Sequence, residues 1–304
     1  MKQIQQNTPL LTVITPTFNR AHTLPKCYQT LCNQGCKDFV WMIIDDGSTD
    51  NTESLVNEWV SENTISIIYK KKQNGGKASA LNVGLGLLST KYAVCLDSDD
   101  FFYESAVGTA LGELQRIEND QKCCGILALR NNPDGSVMGG VEIPAGMKTI
   151  TAADIFLKLN LNTELICFYK TEILCQYRFP EFSGEKFVSP AWMQYAITQD
   201  YYYTVSRSKL CECEYISDGL TKNKRQVIIK NPRGYTCVKK FSFDLAPTLK
   251  QRIKHGIMYD CGCLIAKDKD WLKNAKHKLL AVLLMPVALY VKAKRFQIMD
   301  KDSK

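Results

Sequence analysis

The sequence predicts an α/β protein with a mainly parallel, doubly wound sheet. Short apolar runs alternate with segments of helical periodicity over the first third of the chain, and acidic clusters directly follow two of the apolar runs. Alternating strands and helices of this kind form parallel sheets with helices on both faces. Ligands bind such sheets beyond the carboxyl ends of the strands, where both acidic clusters are expected to lie.

The opening elements follow from hydrophobic periodicity. Leu10–Ile14 reads as a strand, and Leu24, Cys27 and Leu31 mark one face of a helix. Phe39–Ile44 is apolar at every position, which is typical of a parallel strand that is buried on both faces. These three elements form the first βαβ unit.

A second helix follows the first acidic cluster. Asp50 and Glu53 have the spacing of a capping box, so we expect the helix to begin there. Its predicted buried stripe consists of Thr52, Leu55, Val56, Trp59 and Val60. The elements that complete this part are a strand at Ile65–Tyr69, a helix at Lys77–Leu88 and a strand at Tyr92–Leu96.

The later part of the chain is less regular. The predicted elements are a helix from Glu104, strands at Gly125–Leu129, Glu164–Lys170 and Tyr201–Val205, and a helix capped by Ser189 with Pro190 at its first position. A shift to polar and basic residues near Asp218–Asn231 indicates a boundary. We therefore expect a catalytic domain at residues 1–220 and a basic, mostly helical extension at residues 221–304.

Charge is distributed unevenly between these two parts. Residues 1–221 contain 19 Lys and Arg against 25 Asp and Glu, a balance of −6, and residues 222–304 contain 20 against 6, a balance of +14; together they give +8. A basic end on an acidic body predicts contact with an anionic surface, such as phospholipid headgroups or diphosphates. Nucleic acid is disfavoured, because no basic stretch is interleaved with stacking aromatic residues.

The 13 cysteines favour a reduced, cytosolic protein, since their number is odd and no CxxC pair occurs. The C-x-C pairs Cys211/Cys213 and Cys261/Cys263 are possible zinc ligands, but alternation in a strand would also place two small side chains on one face. We favour the second interpretation. The polar N-terminus does not resemble a signal peptide.

The two acidic clusters are DDGSTD at Asp45–Asp50 and DSDD at Asp97–Asp100. Two like charges about 5 Å apart repel by roughly 3 kcal/mol at an effective dielectric near 20. A positive group among the aspartates of the second cluster would relieve this repulsion. Magnesium is commonly shared between one or two carboxylates and substrate phosphates, so the cluster predicts a site for a metal and a diphosphate.

Two further motifs lie beside these clusters. VITPTFNR at Val13–Arg20 is expected to end the first strand at its proline, and with DDGSTD it forms a bowl whose aromatic floor, Phe18, and acceptor, Asp46, suit a uracil. QNGGKASALN at Gln73–Asn82 places two glycines and a lysine at a helix start, where phosphates bind. The latter signal is weak by itself. Neither a Walker A loop nor a G-x-G-x-x-G fingerprint is present in the sequence.

Taken in order and spacing, VITPTFNR, DDGSTD, NGGKASALN and CLDSDD resemble the family 2 glycosyltransferases of the GT-A nucleotide-sugar-binding fold. The resemblance is strong over residues 10–102 and extends to about residue 220. It implies an inverting transfer of a sugar from a nucleotide-sugar donor, usually a UDP-sugar, with Mn²⁺ or Mg²⁺ held by a D-x-D motif. It also implies a glycan acceptor linked to polyprenyl diphosphate, for a cell-surface polysaccharide.

The resemblance assigns roles residue by residue. Those facing the nucleotide base would be Pro16, Phe18 and Asp46. Lys77 would lie near the diphosphate, Asp97 would face the ribose or donor sugar, and Asp99 would hold the metal together with Asp97. Asp100 is a possible assistant in the same cluster.

Transfer with inversion also needs a general base and help for the departing diphosphate. The family places its base in a later acidic motif, often Glu-Asp, and the corresponding residue here is Glu185, although Lys186 stands where Asp is common. Glu181 is the alternative base, and a solvated loop charge is the alternative role for Glu185. Near the boundary, Lys222, Lys224 and Arg225 are expected to close over the phosphates as a lid, unless they form only a solvated charge run.

The tail contains an apolar run, Leu279–Val291, which is flanked by lysines and arginine. Its thirteen residues are too few to span a bilayer, which takes about twenty. Residues 273–295 therefore predict a helix in the membrane interface, and hence a peripheral protein on the inner face of the cell membrane. Packing of this helix on the core or in a dimer is the alternative.

Two other functions stay open at this point. A nucleotide-sugar pyrophosphorylase also uses an α/β sheet and carboxylate-bound metal, but normally opens with a glycine-rich loop that does not follow Ile14 here. A non-catalytic protein that binds nucleotide sugars would use the tail of charge +14 without needing Glu185.

Overall fold

A computed structural model of the chain describes residues 8–161, 164–213 and 224–296. The strands of this part are β1 (Leu11–Thr17), β2 (Phe39–Asp45), β3 (Ile67–Lys71), β4 (Tyr92–Cys95), β5 (Asp100–Phe102), β6 (Cys123–Leu129), β7 (Thr149–Ile150), β8 (Leu165–Lys170), β9 (Tyr202–Val205) and β10 (Cys211–Cys213). The helices of this part are α1 (Leu24–Cys32), α2 (Thr52–Glu62), α3 (Lys77–Gly86), α4 (Ala106–Arg116), α5 (Thr171–Leu174), α6 (Ala191–Ile197), α7 (Lys224–Lys230), α8 (Pro232–Leu245), α9 (Leu249–Ala266), α10 (Trp271–Asn274) and α11 (Lys278–Phe296). A π-helical turn lies at Asp154–Lys158.

Eight strands form the central sheet in the order β3-β2-β1-β4-β8-β6-β9-β7. The pairs β2–β3, β1–β2 and β1–β4 are parallel, which confirms the predicted α/β class and its βαβ units. Strand β8 runs antiparallel to both of its neighbours, β4 and β6. As a result β4 and β6 point the same way, and their carboxyl ends lie at the same edge of the sheet.

Strand β2 is buried on both faces, as its continuous apolar run predicts. Trp41 lies in the core on one face, and Met42 in the core on the other. The Trp41 ring stacks against Trp59 of α2 at 5.8 Å, and Trp59 stacks against Tyr28 of α1 at 4.3 Å. Aromatic stacking therefore fixes both helices on this face of the sheet.

Helix α2 differs in detail from its prediction. It begins at Thr52, and the preceding Asn51 makes no side-chain capping bond. The expected capping box is absent because Glu53 pairs with Lys71 at 2.6 Å, on the neighbouring strand β3. Val60, which was assigned to the buried stripe, is 44% exposed.

Strand β1 continues through Pro16, where the sequence predicted its end. Pro16 pairs with Ile44 of β2 and is buried. The backbone groups of alternate residues in a strand form hydrogen bonds with the same neighbouring strand. The Ile14 carbonyl accepts a hydrogen bond from the Leu96 N–H on the β4 side. The nitrogen of Pro16 therefore points toward β4 at the position where that pairing stops, so no ladder hydrogen bond is lost.

A second, two-stranded sheet pairs β5 with β10 in antiparallel register. The sequence did not predict it, because β5 is only three residues long and starts inside the DSDD cluster. Cys211 and Cys213 are both buried on one face of β10. This confirms the expectation of an alternating strand for Cys211 and Cys213. For Cys261 and Cys263 it was wrong, because both lie on the helix α9, where they are also buried.

The C-terminal helices pack directly on the first part of the chain. Phe241 of α8 stacks on Tyr195 of α6 at 5.5 Å and meets Trp192 edge-on at 6.2 Å. The residues of α6 and α8 thus share one core across the boundary that the sequence predicted near residue 220. The helix at Ser189-Pro190 starts one residue later than expected, since Pro190 precedes its first residue.

Helix α11 packs on α9 through one face only. Ala281, Leu284 and Ala288 are buried, and the Cys261 thiol of α9 donates a hydrogen bond to the Ala288 carbonyl at 3.1 Å. The opposite face is exposed, with Leu279 at 76% and Leu283 at 65%. Among the described residues, no helix combines the length and the apolar character needed to cross a bilayer.

Candidate functional site

The carboxyl ends of β1, β2 and β4 lie side by side. Thr17 pairs with Asp45, and Ile14 pairs with Cys95, so the residues after these three strands share one edge. The DDGSTD and DSDD clusters follow β2 and β4 at that edge. The predicted convergence of the two acidic clusters is therefore present in the structure.

The loops that follow β1 and β2 are tied together by Asn19. Its backbone N–H donates to Ser48 Oγ at 2.8 Å, and its side-chain oxygen accepts from the Thr49 N–H at 2.8 Å. The preceding Phe18 is 45% exposed and offers an aromatic face at this edge. Pro16, by contrast, is buried within β1, so only Phe18 of this pair presents its ring to the solvent.

Asp46 organises the loop that leads into α3. Its carboxylate accepts hydrogen bonds from Lys72 Nζ at 2.8 Å and from the N–H groups of Gly75 at 2.9 Å and Gly76 at 2.6 Å. The side chain is almost fully buried. The sequence assigned the Asp46 oxygens to the nucleotide base, but in the structure they accept hydrogen bonds from the glycine loop before α3. Asp46 therefore links the DDGSTD motif to the QNGGKASALN motif.

Lys77, the first residue of α3, forms an ion pair with Asp97. Its Nζ lies 2.6 Å from Asp97 Oδ1 and 2.7 Å from Oδ2. Burial opposes ionisation of Asp97, yet the Lys77 and Arg130 charges outweigh it and hold the pKa of Asp97 at about 2. Burial also opposes the charge of Lys77, but Asp97 raises the pKa of Lys77 above its usual range. Both groups are therefore charged at neutral pH.

Arg130 is the functional residue that sequence reasoning missed. It directly follows β6, contacts the Asp100 carboxylate through Nη1, and lies 3.9 Å from Asp97. Burial raises the pKa of Asp100, and Arg130 opposes this shift. The sequence could have indicated a functional residue here, because a charged residue directly follows the predicted strand Gly125–Leu129. It could not show at which edge of the sheet Arg130 lies, because that depends on the direction of β8.

Asp99 lies in a field that favours a cation. The side chain is half-buried, and burial together with the charge of Asp97 raises the pKa of Asp99, although Lys77 and Arg20 lower it. A carboxylate whose charge is disfavoured in this way gains most from a hard cation. Asp99 and Asp97 thus offer carboxylate oxygens of the kind a divalent metal prefers, with both oxygens of Asp97 also in contact with Lys77 Nζ.

Within the described ranges, one group of side chains has the proximity of a metal site: Asp100, Cys211 and Cys213, all buried. Arg130 already occupies this group, since its Nη1 contacts Asp100 and lies 3.6 Å from Cys213 Sγ. The hydrogen bond with Cys211 and burial raise the pKa of Cys213, whereas zinc requires thiolates. We therefore assign these cysteines to the core around Arg130.

Glu185 binds the N-terminus of α8. Its Oε1 accepts from the Arg233 N–H at 3.0 Å, and its Oε2 accepts from the Gly234 N–H at 2.8 Å. The first N–H groups of a helix have no partner inside the helix, and the dipole favours a negative charge there. The side chain that the sequence assigned as general base thus also caps a helix.

The loop that carries Glu185 touches the loop held by Asp46. A Cβ atom on Gly76 would lie 1.8 Å from the Lys186 carbonyl oxygen, and the φ of Gly76 is +91°, so glycine alone fits this position. Lys186 Nζ also donates to Asn74 Oδ1 at 2.6 Å. The two loops therefore form one rim of the site.

The remaining predicted residues lie apart from the aspartates or outside the described residues. Glu181, the alternative base, accepts a hydrogen bond from Asn82 Nδ2 at 2.8 Å. Arg225 lies exposed on α7. Lys222 falls within the residues that the structure leaves undescribed, and so does the side chain of Lys224.

A cavity of about 520 Å³ opens beside this edge. Lys77, Asp97 and Arg130 contribute to its lining, and most of the other lining residues are apolar side chains of the sheet and of α3, α6 and α7. We call it the apolar cavity. Val227 and Ile228 of α7 form part of its wall, so the C-terminal extension contributes to the same site.

Comparison with protein families gives a match to the model described as glycosyl transferase family 2, over residues 12–174. This range contains the aspartates, Lys77 and Arg130. The chain is a family 2 glycosyltransferase. The resemblance of the four sequence motifs is thereby confirmed.

Curated relatives of this family 2 glycosyltransferase include a chondroitin synthase of Pasteurella multocida (strain Pm70), which is 34% identical over 131 residues. The match covers 43% of the chain and 13% of the synthase. The chain thus spans only a small part of the length of this relative.

Solved structures confirm the GT-A fold. The chain superposes on S. aureus TarS 1-349 in complex with UDP-GlcNAc with a TM-score of 0.55 and 16% identity, over 94% of this chain and 89% of that one. It superposes on the mannosyltransferase PcManGT from Pyrobaculum calidifontis, in complex with GDP-Man and Mn²⁺, with a TM-score of 0.57 and 17% identity, over 94% and 81%.

We predict that Arg130→Gln destabilises this family 2 glycosyltransferase by roughly 3 to 5 kcal/mol, because it leaves a buried carboxylate without its cation. Asp100→Asn in the same chain removes that carboxylate, so the double variant is expected to regain a large part of the loss. Urea unfolding of the wild type, both single variants and the double variant measures the coupling. Additive effects in this cycle would contradict the assigned ion pair.

Proposed function

We propose that the chain transfers a sugar from a nucleotide sugar, with UDP as the carrier, to a hydroxyl group of a glycan acceptor, with inversion at the transferred carbon. The observation that carries this proposal is the cluster of Asp97 and Asp99 beside Lys77 at the start of α3. It combines carboxylates for a metal with a cation for a diphosphate. Structural neighbours that hold UDP-GlcNAc, or GDP-Man with Mn²⁺, support a nucleotide-sugar donor.

A divalent ion, Mn²⁺ or Mg²⁺, is part of the proposal. Asp99 and Asp97 would hold it, and when bound it would neutralise the charge that develops on the leaving diphosphate. Lys77 stays charged beside Asp97 and adds a fixed positive charge at the same place. Phe18 offers its exposed ring for stacking on the base, while Asp46 and Pro16 shape the loops around it.

The diphosphate would lie near the N-terminus of α3. The free N–H groups and dipole of a helix start favour an anion there. We propose that Arg225, which is exposed on α7, approaches the phosphates together with Lys222. Their closure over the donor would also exclude water from the reacting carbon.

Glu185 remains the proposed general base. It directly precedes Lys186, whose carbonyl meets Gly76 on the rim of the site. Its hydrogen bonds to the first N–H groups of α8 fix the orientation of the carboxylate. The acceptor hydroxyl would replace one of these two partners when it binds.

We further propose that the acceptor belongs to a cell-surface polysaccharide and is linked to a lipid, with polyprenyl diphosphate as the carrier. The chondroitin synthase relative supports polysaccharide synthesis. The exposed face of α11 supports a membrane location. Its exposed apolar side chains, spaced at helical intervals, are Leu279, Val282, Leu283, Val287 and Tyr290.

Basic residues flank this face at both ends. Lys273 and Lys276 precede α11, and Lys292, Lys294 and Arg295 lie in its last turns. An apolar stripe between clusters of basic residues suits the interface of an anionic bilayer, where each basic residue adds about 1 kcal/mol. The proposed location is therefore the cytoplasmic side of the cell membrane, with peripheral contact through residues 273–295.

The metal site is tested by Asp99→Asn. We expect Mn²⁺ to strengthen UDP binding to the wild type at least about tenfold, and the variant to lose this coupling because one metal ligand is gone. Isothermal titration with UDP, with and without Mn²⁺, measures it. Glu58→Gln, which removes an exposed carboxylate on α2, is the matched control. Unchanged coupling in Asp99→Asn would disprove the assigned site.

The base is tested by Glu185→Gln. If Glu185 takes the acceptor proton, UDP release in the presence of acceptor falls about 10²- to 10⁴-fold, while the affinity for UDP stays the same. The loss of a charged helix cap lowers the melting temperature at the same time. Glu181→Gln is the parallel variant for the alternative base. Full turnover by Glu185→Gln, with only the melting temperature changed, would reduce Glu185 to a helix cap.

Membrane contact is tested with the double variant Leu279→Glu/Leu283→Glu. We expect the wild type to sediment with vesicles of phosphatidylglycerol and phosphatidylcholine, and the variant to stay in the supernatant because two charges replace the apolar face. Leu87→Glu, at a residue that is 45% exposed on another surface, is the matched control. Equal sedimentation of all three proteins would refute docking through α11.

A further inference from the structure

The apolar cavity is large, and most of the side chains that line it are apolar. Its volume of about 520 Å³ lies within the range of roughly 300–1,000 Å³ that is usual for ligand sites. Leu81 and Leu85 of α3, Met193 of α6, Phe179 and Leu174 line it. A lining in which most side chains are apolar favours an apolar ligand.

A sugar ring does not suit this lining. Each hydroxyl of a sugar needs a hydrogen-bond partner when it leaves water, and unpaired polar groups are costly to bury. The charged groups of the lining are Lys77, Asp97, Arg130 and Glu164, and the first three form ion pairs. The remaining lining is mostly apolar, with Ser189 and Gln194 as exceptions, and therefore favours a hydrocarbon chain over a second saccharide.

Basic residues surround the wall that α7 contributes. Arg225 and Lys230 are exposed and lie one helical turn from the lining residues Ile228 and Val227, respectively. In the loop before α6, the exposed Lys186 directly precedes Phe187, which also lines the cavity. An apolar interior with a basic rim is complementary to an anionic head that carries an apolar chain.

We propose that the apolar cavity binds the hydrocarbon chain of the acceptor lipid, with its phosphate at the basic rim of α7. This inference rests on the proposed function and specifies its acceptor. Because the cavity reaches Asp97, the chain lies close to the donor sugar.

Dodecyl phosphate, used below its critical micelle concentration, is the probe for the lipid, and inorganic phosphate and dodecyl maltoside are the comparison ligands. We expect dodecyl phosphate to bind the wild type by isothermal titration in the presence of Mn²⁺ and UDP. Inorganic phosphate is expected to bind at least about a hundredfold more weakly, since it lacks the chain. Equal binding of the two phosphates would show a simple anion site and overturn the proposal.

Ala191→Phe fills the cavity from the first residue of α6. It is expected to weaken dodecyl phosphate roughly tenfold, the loss that follows when about two methylene groups lose their buried contacts. Ala145→Phe, at an exposed alanine of another loop, is the matched control. Lys230→Gln tests the rim without altering the cavity and is expected to weaken dodecyl phosphate but not dodecyl maltoside.

Two outcomes separate this site from others. Leu279→Glu/Leu283→Glu is expected to keep its affinity for dodecyl phosphate; loss in that variant, with Ala191→Phe unaffected, would assign the lipid to α11 and overturn the cavity. Coupled binding of UDP and Mn²⁺ in all these variants shows that the donor site is intact. Failure of the lipid experiment alone refutes this inference, and failure of the Mn²⁺ coupling refutes the proposed function.

Discussion

Two cations hold the acidic end of β4 in place. Lys77 and Arg130 reach Asp97 and Asp100 from different elements, one from the start of α3 and the other from the end of β6. Without them, three neighbouring carboxylates would repel one another at the edge of a buried sheet. Even so, burial and the neighbouring charge of Asp97 raise the pKa of Asp99. The same ion pairs thus hold the end of β4 against the start of α3 and the end of β6.

The fixed pairing also explains why α3 begins where it does. Asp46 accepts hydrogen bonds from the N–H groups of Gly75 and Gly76, and Asp97 accepts a hydrogen bond from Lys77 Nζ. The first turn of α3 is therefore held between the ends of β2 and β4. Both acidic motifs act on one helix start, and this shared partner is the reason that they converge in space.

Much of this architecture could be predicted from the sequence, because local patterns determine it. The continuous apolar run of Phe39–Ile44 predicts a buried strand, and the aspartate pair directly after it predicts where that strand ends. Arg130 could not be assigned, since its place depends on β8 inserting between β4 and β6 in the opposite direction. The capping of α8 by Glu185 was likewise hidden, because it joins residues about fifty positions apart whose approach depends on the packing of α8 against α6.

The close approach of Gly76 to Lys186 has a mechanical consequence. The two loops meet with no space for a methyl group, and one of them is anchored on α8 through Glu185. A displacement of either loop therefore also displaces the other. Through Glu185, any such displacement also reaches the first turn of α8, so the glycine loop and the C-terminal helices are mechanically coupled.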